Sequence, residues 1–268
     1  MSKQKGSAAV WVVGLIVIVL IVVFVSSKNS VVQGETIRAG IIAPLTGTAA
    51  GYGTEAKNTV VLALDEINAA GGINGKKIEY FVEDGKCDAK AAIDAWNKLV
   101  DVNKVQVVFG GACSTEAVTI APFSSKAKVP VFAVFVTGPK IANEGEWFFR
   151  HITTNAYFAK VLAEQANARG YKKIALLTEQ KEFPGSYSDI FITEFKKLGG
   201  EIVLDERFAP NTTDFRSSAL KLKGLGNDAT FISAQGSQTM ALIAQQIRDL
   251  GFEKPTLFNH AVNYQQFI

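Results

Sequence analysis

The chain has 268 residues, 48% of them hydrophobic and 20% charged, with a net charge of +3. That composition suits a folded α/β protein large enough for two lobes and excludes a disordered, solvating tail. Lysine and arginine are scattered, with no basic stripe carrying interleaved aromatics, which argues against nucleic acid as a partner.

Taken in chain order, the first element is apolar. Lys3 and Lys5 precede an unbroken hydrophobic run from Ala8 to Val25. At about 1.5 Å of rise per residue, such a run covers most of a roughly 30 Å hydrocarbon core. It is longer than the h-region of a typical cleaved signal, and the lysines place its short side in the cytoplasm. We expect a transmembrane signal anchor; cleavage near Val25-Ser26-Ser27 is the alternative. Residues 26–35 are polar and aperiodic and read as a tether.

From Thr36 onward, short apolar runs alternate with amphipathic segments. Strands are predicted at Ile37–Ile42, Ile78–Val82, Val105–Phe109 and Val131–Val134, with helices near Thr54–Ala70, Asp88–Val100 and Ser114–Lys126. The first helix places Val60, Leu64 and Ile67 on one face and stops at Gly71-Gly72. After an extended stretch at Trp147–Ile152, a second series begins. Helices at Tyr157–Arg169, Ser186–Leu198, Asp214–Leu225 and Ser237–Leu250 alternate with strands at Lys173–Thr178, Glu201–Phe208, Ala229–Ser233 and Thr256–Phe258. The fold class is therefore α/β, with two doubly wound parallel sheets in tandem lobes. The expected division is 1–35 for anchor and tether, 36–154 for the first lobe and 155–268 for the second. A ligand cleft is expected between the lobes, outside the carboxyl ends of the strands. The series stops at Ile268 without a closing helix, so we expect an incomplete sequence whose first sheet carries uncovered apolar surface.

Signals for catalysis are poor. His151 and His260 are far apart and neither has neighbours at metal-ligand spacing; no Walker loop, nucleophile elbow or HExxH motif occurs. Gly51-Tyr52-Gly53-Thr54-Glu55-Ala56 mimics a dinucleotide-binding loop, but Pro44 and a long loop intervene and Glu83 lies too far along. No enzyme activity, cofactor or metal is expected.

A better candidate is Gly110-Gly111-Ala112-Cys113-Ser114-Thr115-Glu116, which follows a strand and opens a helix. Ser114 suits an N-cap, and unpaired first-turn amides there favour an anion such as a carboxylate. Thr137 supplies a hydroxyl after the next strand, and Tyr52, from the first loop, an aromatic face. Cys87 and Cys113 are the only cysteines. They are either a disulfide, which an exported location favours, or two buried thiols.

These residues resemble the leucine/isoleucine/valine-binding family of type I periplasmic binding proteins. The segments that carry the resemblance are 43–53, 65–75, 84–88, 111–115 and 137–139. It implies a fold of two lobes and an extracytoplasmic protein that captures a small ligand and delivers it to an ABC transporter permease. The extracellular ligand-binding module of a receptor is the alternative. It also implies that Cys87 and Cys113 are bridged, that Ser114, Thr115 and Thr137 grip a ligand carboxylate, and that Tyr52 flanks the ligand. By the same resemblance, Phe135 is expected to complete the first-lobe set, with Phe183, Gln235 and His260 as the ligand-binding residues of the second lobe. Phe183 stands where the family usually has tyrosine, and Asn259-His260-Ala261 replaces the acid that pairs with an amino acid's ammonium.

Overall fold

The computed structural model describes residues 36–143 and 145–262. The apolar run at 8–25 lies outside them, and among the described residues no helix is long and apolar enough to cross a membrane.

Two parallel sheets are built from one pattern. In the first, β1 (Ile37–Ala43) lies between β2 (Ile78–Asp84) and β3 (Val107–Gly110), followed by β4 (Val131–Ala133) and β5 (Phe148–Arg150). In the second, β6 (Lys173–Glu179) lies between β7 (Glu201–Phe208) and β8 (Ala229–Ser233), and β9 (Thr256–Phe258) closes the row. Each order reverses direction at its first strand, the crossover point at which open α/β sheets present ligand sites.

The central strands are apolar on both faces because helices cover both. In β1, Ala39 and Ile41 pack with Leu64 of α1 (Ala50–Ala69), whereas Ile42 packs on the other face with Trp96 of α2 (Ala89–Asn97) and Ile120 of α3 (Ser114–Ala127). In β6, Ile174 and Leu176 meet α4 (Asn155–Ala168) and α5 (Glu182–Lys197). Ala175 and Leu177 meet α6 (Arg216–Lys223) and α7 (Ser237–Asp249). Three strands of the second sheet, β7, β8 and β9, have the bounds read from the sequence.

Two local expectations are corrected. Helix α1 begins at Ala50 rather than Thr54, so Tyr52 and Gly53 lie in its first turn, not in a loop. Gly53 is required there: a Cβ on it would sit 1.9 Å from the Pro44 carbonyl oxygen. Close packing thus overrides the low helix propensity of Gly51 and Gly53. Ile67 is 37% exposed and does not share the burial of Leu64, so the apolar face of α1 is narrower than its spacing suggests.

The first sheet carries an uncovered aromatic row. Phe109, Phe132 and Phe149 are in register on β3, β4 and β5, with ring centroids 5.8 and 5.2 Å apart. Phe132 and Phe149 are 45% and 46% exposed. Contiguous exposed aromatics of this kind drive association. The double substitution Phe132→Lys/Phe149→Lys is expected to reduce self-association of the chain in sedimentation velocity without lowering its melting temperature.

Candidate functional site

The carboxyl ends of β1, β3, β4, β6, β8 and β9 lead into the segments that carry Tyr52, Ser114, Thr137, Phe183, Gln235 and His260. Together with Ala112, Phe135, Ile152 and Ala261, these residues line a cavity of about 110 Å³. Seven of the eight residues expected to bind ligand therefore line one space.

Thr115 is the eighth and does not. It lines a neighbouring groove of about 740 Å³ with Lys140, Glu179, Lys181, Glu182 and Arg207. Successive positions on a helix point about 100° apart, so Ser114 and Thr115 cannot both face the cavity. The hydroxyl oxygen of Thr115 is buried with no hydrogen-bond partner among the described residues.

Ser114 is not the N-cap. Cys113 occupies that position and Ser114 is the first helical residue of α3. Its Oγ instead accepts the backbone N–H of Gly138 at 3.1 Å, which joins α3 to the loop after β4. In that loop Phe135 holds a left-handed φ of +63°, a conformation costly for a bulky side chain and one that clusters at functional sites. The Thr137 carbonyl accepts the N–H of Asn155 at 2.8 Å, tying the same loop to α4.

Beneath Ser114 lies the clamp that shapes the turn. Cys87 and Cys113 form a disulfide with Cα atoms 5.4 Å apart. Glu116, completely buried, accepts the N–H of Cys87 on Oε1 at 2.9 Å and the N–H of Cys113 on Oε2 at 3.2 Å. The Tyr52 hydroxyl lies 3.3 Å from Cys87 Sγ, also contacts Cys113 Sγ, and accepts Gln235 Nε2 at 2.9 Å.

From the second sheet, Gln235 is held by its N–H, which donates to Glu179 Oε2 at 2.7 Å. Its own Oε1 is buried and unpartnered among the described residues. His260 stands in an aromatic cage, with ring centroids 4.5 Å from Phe158, 5.1 Å from Phe183 and 5.7 Å from Tyr187. Burial lowers its pKa to about 4, so the imidazole is neutral at pH 7, and its Nδ1 has no hydrogen-bond partner among the described residues. Among the described residues, no carboxylate, lysine or arginine lines the cavity. Glu179 is buried behind Gln235 and Glu182 pairs with Lys140 at 2.9 Å, so neither reaches the enclosed space.

Sequence reading assigned no site role to Ala112, Ile152, Ala261 or Glu116, although Ala112, Glu116 and Ala261 lie in segments it singled out. The first three are small or apolar residues without a distinguishing pattern. Glu116 had a signal: a glutamate three residues after an N-cap closes a capping box. Here that box is formed with a cysteine.

A family profile described as "Periplasmic binding protein" matches residues 36–265. The chain belongs to the periplasmic binding protein family. Within it, this binding protein is of the type I leucine/isoleucine/valine-binding kind. It is similar to Leu/Ile/Val-binding protein homolog 7 of Brucella abortus (strain 2308), with 29% identity over 238 residues, which is 85% of this chain and 59% of the relative. Among solved structures it resembles the branched-chain amino acid transporter substrate binding protein of Streptococcus pneumoniae in complex with isoleucine. The TM-score is 0.78 and the identity 30%, over 87% of this chain and 66% of that one. It shares its fold with the ABC-transporter solute binding protein of Rhodopseudomonas palustris BisB5 in complex with 3,4-dihydroxybenzoic acid (TM-score 0.73, identity 24%, 84% and 61% covered). The chain thus spans less than two thirds of the length of these relatives.

Two outcomes follow from the clamp. The disulfide closes a sequence separation of 26, worth about 3.5 kcal/mol in the chain-entropy account. Cys87→Ser/Cys113→Ser is expected to lower the unfolding free energy by that order in chemical denaturation. Glu116 is the second. Burial pushes its pKa up to about 7, against the pull of the two amides. Folding therefore favours the protonated form. The resulting stabilisation is complete below the ordinary value of 4.5 and is lost as pH rises to about 7. At about 1.4 kcal/mol per pKa unit this amounts to roughly 3 kcal/mol at most. Denaturation midpoints should fall between about pH 5 and pH 8, and Glu116→Gln should flatten that dependence.

Proposed function

We propose that this chain is the ligand-binding part of an extracytoplasmic solute-binding protein that encloses a small carboxylate between two lobes, 36–154 and 155–268, and presents it to the permease of an ABC importer. The apolar run 8–25 behind Lys3 and Lys5 would hold it at the membrane.

The observation that carries the reading is the cavity itself. It is assembled from strand ends of both sheets, and its lining has one polar pole on each side and apolar walls between. On the first sheet, Ser114 opens α3, where the helix dipole favours an anion, and Thr137 lines the same space from the loop after β4. On the second, Gln235 Oε1 and His260 Nδ1 have no hydrogen-bond partner among the described residues. Phe135, Ile152 and Phe183 lie among the walls.

That chemistry favours a compact carboxylate whose far end offers a hydroxyl or another donor to Gln235 and His260. It disfavours an α-ammonium group, which would be buried without a counter-charge. The S. pneumoniae relative holds isoleucine and the R. palustris protein holds 3,4-dihydroxybenzoic acid. The uncharged lining supports the acid over the zwitterion.

Calorimetry with 3,4-dihydroxybenzoate and isoleucine tests this. The acid is expected to bind more tightly. A hydrogen bond to a charged group contributes roughly 1.5–3 kcal/mol, so Ser114→Ala or Thr137→Ala should each weaken binding about tenfold or more. Tight binding of an uncharged ligand, indifferent to both substitutions, would overturn the carboxylate assignment.

A further inference from the structure

Where the two halves meet, one residue of the second sheet lies directly on the backbone of the first. Gly236 is the N-cap of α7, with φ −118° and ψ 147°, an extended conformation open to any residue. Nothing local demands glycine there. Yet a Cβ on it would fall 2.3 Å from the Thr48 carbonyl oxygen, 3.1 Å from the Thr48 carbonyl carbon and 3.4 Å from Thr48 Cβ. Its own chain neighbours aside, the three nearest atoms all belong to the opposite half, so among the described residues no other atom of its own half comes closer than 3.4 Å.

Thr48 cannot yield easily. Its loop is pinned to the end of β2, where Asp84 accepts the Leu45 N–H on Oδ1 at 2.8 Å and the Thr46 hydroxyl on Oδ2 at 2.6 Å. On the other side of the loop, α1 is seated on the Pro44 carbonyl through Gly53. A side chain at 236 therefore has to be accommodated by moving one half away from the other. Gln235 adjoins the contact and spans the cleft to the Tyr52 hydroxyl at 2.9 Å. Separation at Gly236 breaks that bond and opens the cavity wall between Tyr52 and Gln235.

We infer that Gly236 is a size- and closure-determining position: its missing side chain lets the second half seat on the Thr48 carbonyl, and that seating sets the volume of the enclosed site. The inference deepens the proposed solute-binding reading but rests on a steric contact that exists whatever the ligand. A β-carbon at 236 holds the cleft ajar and shifts the site toward larger ligands at the expense of small ones.

The test uses the full chain with nitroxide labels at Asn58→Cys and Asp249→Cys, exposed positions on α1 and α7, and the native cysteines left in their disulfide. Distances are read by double electron–electron resonance, alone and with saturating 3,4-dihydroxybenzoate or isoleucine. The parent chain is expected to populate the short separation of this structure. Gly236→Ala should lose it in favour of a separation longer by several ångströms, and Gly236→Val should move further. Gly224→Ala is the control: φ there is −93° and the nearest atom to an added Cβ is 3.9 Å away, so it should match the parent. Melting temperatures of the three variants should agree with the parent.

A short separation that persists in Gly236→Ala overturns the inference. So does a parent chain that never shows it under any of the three conditions, or a fall in melting temperature confined to the 236 variants, which would place the strain inside the second half. If the separation responds as expected while neither compound binds, the closure assignment stands and the ligand reading falls.

Discussion

The Glu116 carboxylate is the constraint on which the first half of the site depends. It is wholly buried one turn into α3, and its two oxygens receive the N–H groups of both half-cystines. Those amides come from chain segments that follow different strands, β2 and β3. Without an internal acceptor they would be buried and unpaired, at a cost of about 1–3 kcal/mol each. The carboxylate and the disulfide hold the same junction by independent means. Gly85 is part of that arrangement, because a Cβ there would lie 2.3 Å from Glu116 Oε1. With the junction held, Ser114 is directed toward Gly138 and Tyr52 is placed over the sulfurs.

The consequence for chemistry is a site without formal charge among the described residues that line it. Its polar atoms are hydroxyls, an amide and a neutral imidazole, and its walls are aromatic or aliphatic. In such surroundings an ion must be stabilised by oriented dipoles alone, which discriminates between an anion at a helix start and a cation with no partner. The charged residues have been moved next door. The adjoining groove carries Lys140, Lys181 and Arg207 against Glu179, Glu182 and Asp189, and Glu182 and Lys140 join the two halves there.

Besides the Asn155 N–H on the Thr137 carbonyl, three contacts among the described residues join the halves at the cleft. Tyr52 with Gln235, Lys140 with Glu182, and Gly236 on the Thr48 carbonyl are each made by residues at strand ends or helix starts. None belongs to the two large cores, which are packed separately within each half by their own helices. The site is thus formed by relative position of the halves, while its individual residues are rigidly held within one half or the other.

The alternation of short apolar strands with amphipathic helices was enough to determine the fold class and the tandem series, because a strand buried on both faces leaves an apolar run that periodicity reveals. It was also enough to bring Tyr52, Ser114 and Thr137 together as candidates, since parallel strands with helical crossovers bring all their carboxyl ends to one edge; Gln235 and His260 entered only through the family resemblance. Tertiary structure alone decided the rest. The start of α1 moved to Ala50 because Gly53 fits against Pro44, a distance no propensity contains. Thr115 left the cavity because helix phase, set by the Cys113 cap, turned it toward the groove. Gly236 reads in sequence as an ordinary small residue before a helix, and only its approach to a backbone carbonyl 188 positions away gives it a reason. Such contacts are set by how two independently packed bodies meet, and linear pattern carries no record of that distance.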